Sequence, residues 1–520
     1  MQSIAANFAP LMFGGLIVFM LIGFPVAFSI AALGLLAGFV SIELGFFPRE
    51  LLQSLPYRVF GILSNELLLS IPFFTFMGVI LERCGLAEDL LEGMGQLFGR
   101  LPGGIAYAVI LVGAVLGAIT GTVAASVIAM GMIALPVMMR YGYDMRLATG
   151  VIAASGTITQ LIPPSLVLVI LADQLGRSVG DMYAGAIGPS LAQTLIFIAY
   201  VAVLSVIRPQ WMPPLPDEAR TLSGWALWRG LLLGILPSIA LIFLVLGTIF
   251  MGLATPTEAG AMGAVGAIVL AAMHRRLSWK LVHEGMEGTM RISAMVIFIL
   301  IGSTVFSLVF QGVNGALWIE HMLSHLPGGV VGFLVFVNLF VFFLAFFLDF
   351  FEIAFIIIPM LAPVADKMGI DLIWFGVLLC IDMQTSFMHP PFGFALFYLR
   401  GIAPPEGRSK DIYLGAIPWV LLQLLMVAIV IVWPGTVTYW LDKEQAVDLD
   451  KVRIELPQDA DEGSGTTGED ADHKQAPPEL PVDQGGRPGG QEEGGTSAPP
   501  SGREPHDVTD DIQRMLREGR

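Results

Sequence analysis

Residues 150–171 read GVIAASGTITQLIPPSLVLVIL, a segment apolar enough for a bilayer whose middle opposes helix continuity. Pro163 and Pro164 remove two backbone donors and clash with the preceding turn. Ser155, Gly156 and Thr157 supply polar groups that compete for the freed backbone. In hydrocarbon such an interruption survives only where protein buries it or where it lines a polar cavity. Residues 375–399 repeat the design, with Pro390 and Pro391 lying 227 positions after the first pair. Broken helices at membrane mid-depth are where secondary transporters hold substrate and coupling ions. Two of them, correspondingly placed, point to a transporter.

Only 13% of the 520 residues are charged, 55% are hydrophobic, and the mean hydropathy is +0.76. That profile excludes a soluble domain and predicts an all-α polytopic membrane protein. Apolar runs recur from Phe8 to Trp433, room for roughly ten crossings of about 20 residues. No basic segment precedes the first run, so no cleaved signal peptide is expected. Cys84 and Cys380 sit in separate apolar surroundings and read as core filling. From Asp442 onward, 20 acidic and 9 basic residues carry −11 of the net charge of −16. Residues 441–520, rich in Gly, Pro, Glu and Asp, are expected to form a disordered acidic tail.

Taken in order, residues 1–65 read as N-terminal scaffold helices and an interfacial helix. The run 8–41 is either two crossings or one kinked helix, broken near Gly23 and Pro25. A first repeat, 66–207, contains a re-entrant hairpin at about 104–138 and the broken helix at 147–172. Gly121, Thr122 and Ser126 cluster at that hairpin's middle. Residues 208–288 supply an inter-repeat loop and further scaffold helices. The second repeat, 289–433, contains a hairpin at about 327–365 and a broken helix at 372–399. Leu101-Pro102-Gly103-Gly104 corresponds to Leu326-Pro327-Gly328-Gly329, Pro136 to Pro359, and Gly185-Ala186-Ile187 to Gly415-Ala416-Ile417, at offsets of 223 to 230. If Arg100, Arg140 and Arg146 face the cytoplasm, counting crossings also puts Arg208, Arg220, Arg229, Arg275, Arg276, Arg400 and Arg408 inside. The second hairpin is then entered from the other side, so the repeats are inverted, and the tail falls outside.

An ionisable residue within a span is a functional candidate. Glu66, Glu258, Asp349, Glu352 and Asp382 qualify. Hydroxyls, carbonyls and a carboxylate near the breaks are hard oxygen ligands, suited to an alkali cation, and half-helix N-termini suit a carboxylate. The candidate ion and substrate set is Gly121, Thr122, Ser126, Ser155, Gly156, Thr157, Pro163, Pro164, Asp349, Asp382, Thr385, His389, Pro390, Pro391 and Gly393. Ser155, Asp349 and Thr385 are its metal candidates. No arginine lies in the middle of either broken helix, so an anion's positive partner must be backbone, a bound cation or another chain.

These segments, with Gly23-Phe24-Pro25, Thr255-Pro256-Thr257-Glu258 and Phe347-Leu348-Asp349, resemble the large membrane subunit of the TRAP (tripartite ATP-independent periplasmic) transporters over residues 8–433. The family pattern at the last break is Thr-Pro-Pro; here His389 stands in the threonine's place, which removes one hydroxyl ligand and leaves Thr385 or Asp382 to compensate. The resemblance implies an elevator-type transporter of the bacterial inner membrane, with scaffold and transport domains. It implies sodium as coupling ion, no organic cofactor, a small four-helix membrane subunit, and a periplasmic substrate-binding protein that delivers an organic acid. Two other readings remain: a self-sufficient ion-coupled carboxylate carrier or exporter, and a membrane-embedded respiratory enzyme subunit. Against the last, no span carries paired histidines for haem, and neither Cys-x-x-Cys nor an ATP-binding loop occurs.

Overall fold

The first apolar run resolves into two helices. In the computed structural model, which describes residues 2–120, 123–220, 224–391, 393–403 and 408–441, α1 (Gln2–Leu21) and α2 (Val26–Glu43) pack on each other. Gly23 makes the turn between them with a φ of +84°, a conformation that other residues adopt only under strain. Gly121 and Thr122 of the candidate set lie outside the described residues, as does the chain beyond Leu441.

The charged, proline-bearing stretch that follows forms two short helices, α3 (Arg49–Gln53) and α4 (Leu55–Leu63). A 3-10 turn over Glu66–Leu69 leads straight on into α5 (Ser70–Arg83), the two together bent by 48° from Arg49–Leu63. The amphipathic α6 (Leu86–Phe98) leads into an antiparallel pair, α7 (Gly104–Thr120) and α8 (Val123–Arg140), the hairpin expected at 104–138. The first broken helix is α9 (Met145–Thr157), a 3-10 turn over Ile158–Gln160, and α10 (Leu166–Leu175). The long α11 (Val179–Ile207) closes this half.

Helices α12 (Gly224–Phe250), α13 (Pro256–Met273) and α14 (Trp279–Gly312) connect the halves. The last begins ten residues before the apolar run expected from position 289. Its polar first turns hold together through Glu287–Arg291 and Lys280–Glu284 pairs at four-residue spacing. The short α15 (Gly315–Ser324) then bends by 119° into α16 (Gly329–Leu344), the second hairpin's first arm. The return arm is α17 (Phe350–Glu352), a π turn over Ile353–Ile357, and α18 (Ile358–Lys367). The second broken helix is α19 (Leu372–Ser386) and α20 (Phe394–Ile402), followed by α21 (Ser409–Val432) and α22 (Gly435–Thr438). Seven of the described helices are long and apolar enough to cross a membrane, or up to nine if each bent pair counts as one span.

Between helices in lipid, small residues decide how closely backbones approach. A Cβ on Gly302 of α14 would sit 2.4 Å from the Ala27 carbonyl of α2, and one on Gly34 would sit 2.9 Å from Phe306 Cα. The same helix pair therefore meets backbone to backbone at two levels.

The loops sort into two ends. Asp144 N–H donates to the Trp211 carbonyl, Gly103 N–H to Met212, Leu215 N–H to Gly99, and Arg146 pairs with Asp411 at 2.9 Å. Arg276 reaches the Cys84 carbonyl, and Arg83 pairs with Glu284. Elsewhere Asn65 donates to Asp173, Arg177 pairs with Asp366, and Lys367 with Glu320. Each contact joins loops that the arginine count assigns to one side. Helix α11 runs from the second group of loops to the first, so the two groups are opposite ends, and the two hairpins enter from opposite ends.

Candidate functional site

Each break is made by the residues that forbid helix there. In the first, regular backbone stops at Thr157, passes through Ile158–Gln160, and resumes after Pro163 and Pro164 at Leu166. Ser165 caps the restarted helix, its hydroxyl accepting from Val167 N–H at 3.2 Å. In the second, the chain leaves α19 at Ser386, turns through His389, Pro390 and Pro391, and restarts at Phe394 after Gly393. Both Pro–Pro bonds are cis.

The two broken helices pack reciprocally. The restarted half of the first, α10, lies against α19, and the restarted half of the second, α20, lies against α8 and α9. The interruptions meet at the seam. Thr157 Oγ1 lies 3.4 Å from Met388 Sδ, and Gln423 of α21 donates to Thr157 Oγ1 at 3.0 Å. Cys380 Sγ–H points to the Gln160 carbonyl at 3.5 Å.

The first hairpin is pressed onto the first break through glycines. A Cβ on Gly113 would lie 2.6 Å from Ser155 Cβ, one on Gly117 would lie 2.8 Å from Thr159 Cα, and one on Gly156 would lie 2.3 Å from Val127 Cγ2. Ser155 and Ser126 are fully buried there. Ser155 donates to the Ile152 carbonyl at 3.0 Å, which leaves its oxygen lone pairs to accept.

In the second half, Asp382, Ser386 and His389 share one face at four- and three-residue spacing. Asp382 is 1% exposed, and its Oδ2 has no partner among the described residues. Thr385 donates to the Asp382 carbonyl at 2.6 Å. His389 sets Nδ1 3.2 Å from the Thr385 carbonyl, while its ring meets Phe346 edge-on at 3.5 Å between centroids. The second hairpin thus covers this break with aromatic rings. Pro163 and Pro164 are buried, Pro390 is half-buried and Pro391 is exposed.

Asp349 stays on the second hairpin and caps its return arm. Its carboxylate accepts from Phe351 N–H at 2.5 Å, and Glu352 Oε2 accepts from Asp349 N–H at 3.0 Å. This is a capping box, and Thr255 with Glu258 forms another at the start of α13. Glu66 and Glu258 stand exposed at helix starts. The spacing of Asp349 to Glu352 and Thr255 to Glu258 already carries the capping signal. What sequence reading missed is a set of buried glutamines, Gln160, Gln193, Gln384 and Gln423, each signalled only by being an amide inside an apolar span.

The chemistry of the donors is uniform. Among the described residues no lysine or arginine is buried, while buried hydroxyl, amide and carboxylate oxygens surround the breaks. Such a set consists of hard oxygen donors of the kind an alkali cation takes, and Asp382 Oδ2 is left without a protein partner among the described residues.

The family described as "Tripartite ATP-independent periplasmic transporter, DctM component" matches residues 13–436. The C4-dicarboxylate TRAP transporter large permease protein DctM of Pseudomonas aeruginosa is 30% identical over 75% of this chain and 89% of its own. Its Rhodobacter capsulatus namesake is 27% identical over 82% and 97%. The isethionate TRAP transporter permease protein DctMQ of Oleidesulfovibrio alaskensis is 28% identical over 81% of this chain, which spans 64% of that protein. Among solved structures, the YdaH transporter of Alcanivorax borkumensis superposes with a TM-score of 0.55 at 15% identity, covering 82% of this chain and 98% of the other, a likeness of fold alone. The matched relatives are transport permeases and not enzymes, and the family together with the apolar helices places this chain in the bacterial inner membrane as a multi-pass protein. The chain belongs to the tripartite ATP-independent periplasmic transporter family, as a large permease subunit.

Proposed function

We propose that this subunit imports an organic acid with sodium, the acid being delivered by a separate periplasmic binding protein and the permease completed by a small four-helix membrane subunit. The observation that carries this reading is the pair of reciprocally packed breaks, lined by buried oxygens with no buried cationic side chain among the described residues. An anion held there needs positive charge, and bound cations together with half-helix N-termini can supply it. Ser155 and Thr385 would hold sodium through hydroxyl and neighbouring carbonyl oxygens, and Asp349 and Asp382 through carboxylates. Relatives named for C4-dicarboxylates, sialic acid and 2,3-diketo-L-gulonate support an organic acid as cargo.

The packing supports an elevator. Hairpins, broken helices, α11 and α21 form one mutually packed set, the transport domain, and α2, α5, α13 and α14 another, the scaffold. The repeats, 66–207 and 289–433, each contribute to both sets, since α5 and most of α14 lie within them. The test is uptake of candidate acids into vesicles, with sodium replaced by choline and the binding protein added or withheld. Uptake that needs both sodium and a binding protein supports the reading; sodium-independent uptake, or full uptake without any binding protein, refutes the corresponding part.

A further inference from the structure

On α19 and the turn that continues it, Cys380, Gln384 and Met388 recur every four residues and therefore share a face. Two contacts fix what that face meets. Cys380 Sγ lies on the Gln160 carbonyl, and Met388 Sδ lies 3.4 Å from Thr157 Oγ1, both on the first broken helix. Gln384 sits between these contacts, fully buried, and neither of its amide atoms has a partner among the described residues. Gln160 Oε1 and Gln423 Oε1 are likewise buried and unpartnered.

The internal correspondence sharpens this picture. Thr157 and Gln384 differ by 227, the offset of the proline pairs, so they are counterparts in the two halves. Gln423 and Gln193 differ by 230, the offset of Gly185 and Gly415. Gln423, on the helix that closes the second half, donates to Thr157 of the first half. Gln193, on the helix that closes the first half, is fully buried with both amide atoms unpartnered, and its helix packs against α19 of the second half and against the first break. Buried amides left unpaired are costly, so a seam with this much spare hydrogen-bonding capacity is suited to exchanging partners.

We propose that Gln423 and Gln193 are positioning residues, each reaching across from the closing helix of one half to hold the other half's broken helix, so that the two breaks change state together. Gln423 does so here by tying Thr157 to Met388, and Gln193, unpartnered in this arrangement, makes the equivalent contact on α19 when the seam changes state. The inference uses the transport reading only to say which cation the breaks respond to.

The two native cysteines provide the test. Cys380 lies in the seam and Cys84 at the end of α5, and both are buried and free. In the full-length chain in native membranes, carrying C84A, Cys380 is expected to react slowly with N-ethylmaleimide. Q423M, T157V and Q193M should each raise that rate about fivefold or more, and Q423M with T157V should add little to either alone, because both remove one contact. Cys84 labelling, followed in a C380A background, should not change, and the sodium concentration for half-maximal uptake should rise in Q423M. Unchanged Cys380 labelling in Q423M and T157V overturns the proposal, and so does an equal rise at Cys84, which signals general loosening. T157V, which conserves volume, carries the test if Q423M fails to insert. If the variants expose Cys380 but sodium in place of choline leaves wild-type labelling unchanged, the seam stands and the choice of cation falls.

Discussion

Asp349 and Ser155 show what a single residue can report. Both already have structural work, Asp349 capping a helix and Ser155 bonding its own turn. Asn at 349 keeps an acceptor for the cap while removing the charge. Asp349→Asn should therefore leave expression and thermal stability near wild type and raise the half-saturating sodium about tenfold, the factor that about 1.4 kcal/mol of lost ion binding produces. Unchanged sodium dependence of uptake would confine Asp349 to its cap. Ser155→Ala removes one oxygen from the first break and should lower uptake at limiting sodium more than at saturating sodium. At this scale the sequence was partly legible. Paired prolines, intramembrane acids and hydroxyls stood out because each is costly in hydrocarbon. The glutamines did not, because an uncharged amide in an apolar run is only a weak signal until its neighbours across the seam are known.

Between elements, contact distance is the controlling quantity. A Cβ at Gly302 meets backbone rather than a flexible side chain, so α2 and α14 must separate to admit it. Gly302→Ala should destabilise the protein by about 1–3 kcal/mol, read as a lower melting temperature in detergent. Gly113→Ala should do likewise through Ser155, and should also slow uptake, because it wedges the first hairpin from the break. A Gly113→Ala protein with normal uptake would separate that hairpin from the transport path. Helix positions and both hairpins followed from apolar run length and glycine punctuation. The start of α14 did not, because its first turns are polar and are held by ion pairs rather than by burial. The π turn of the second hairpin had no sequence mark either; its residues, Ile353–Ile357, are simply apolar.

For the whole molecule, the arginine count and the loop contacts agree on two ends. With both native cysteines removed, L253C should react with a membrane-impermeant maleimide from outside, and E218C only after permeabilisation. The reverse pattern would invert the topology. The correspondence of the halves was readable because prolines and glycines keep their order at nearly constant spacing. That the halves interlock was not readable, since pairing across a seam leaves no periodicity in one dimension.

The reciprocal packing of α10 on α19 and of α20 on α8 and α9 also bears on how the protein is made. When ribosomes have delivered only the N-terminal half, the surface of α10 that α19 will cover is still uncovered. Those contacts can form only once translation has passed residue 402. A gene split within 208–223 should accordingly yield two fragments that are degraded when produced singly and that persist when produced together.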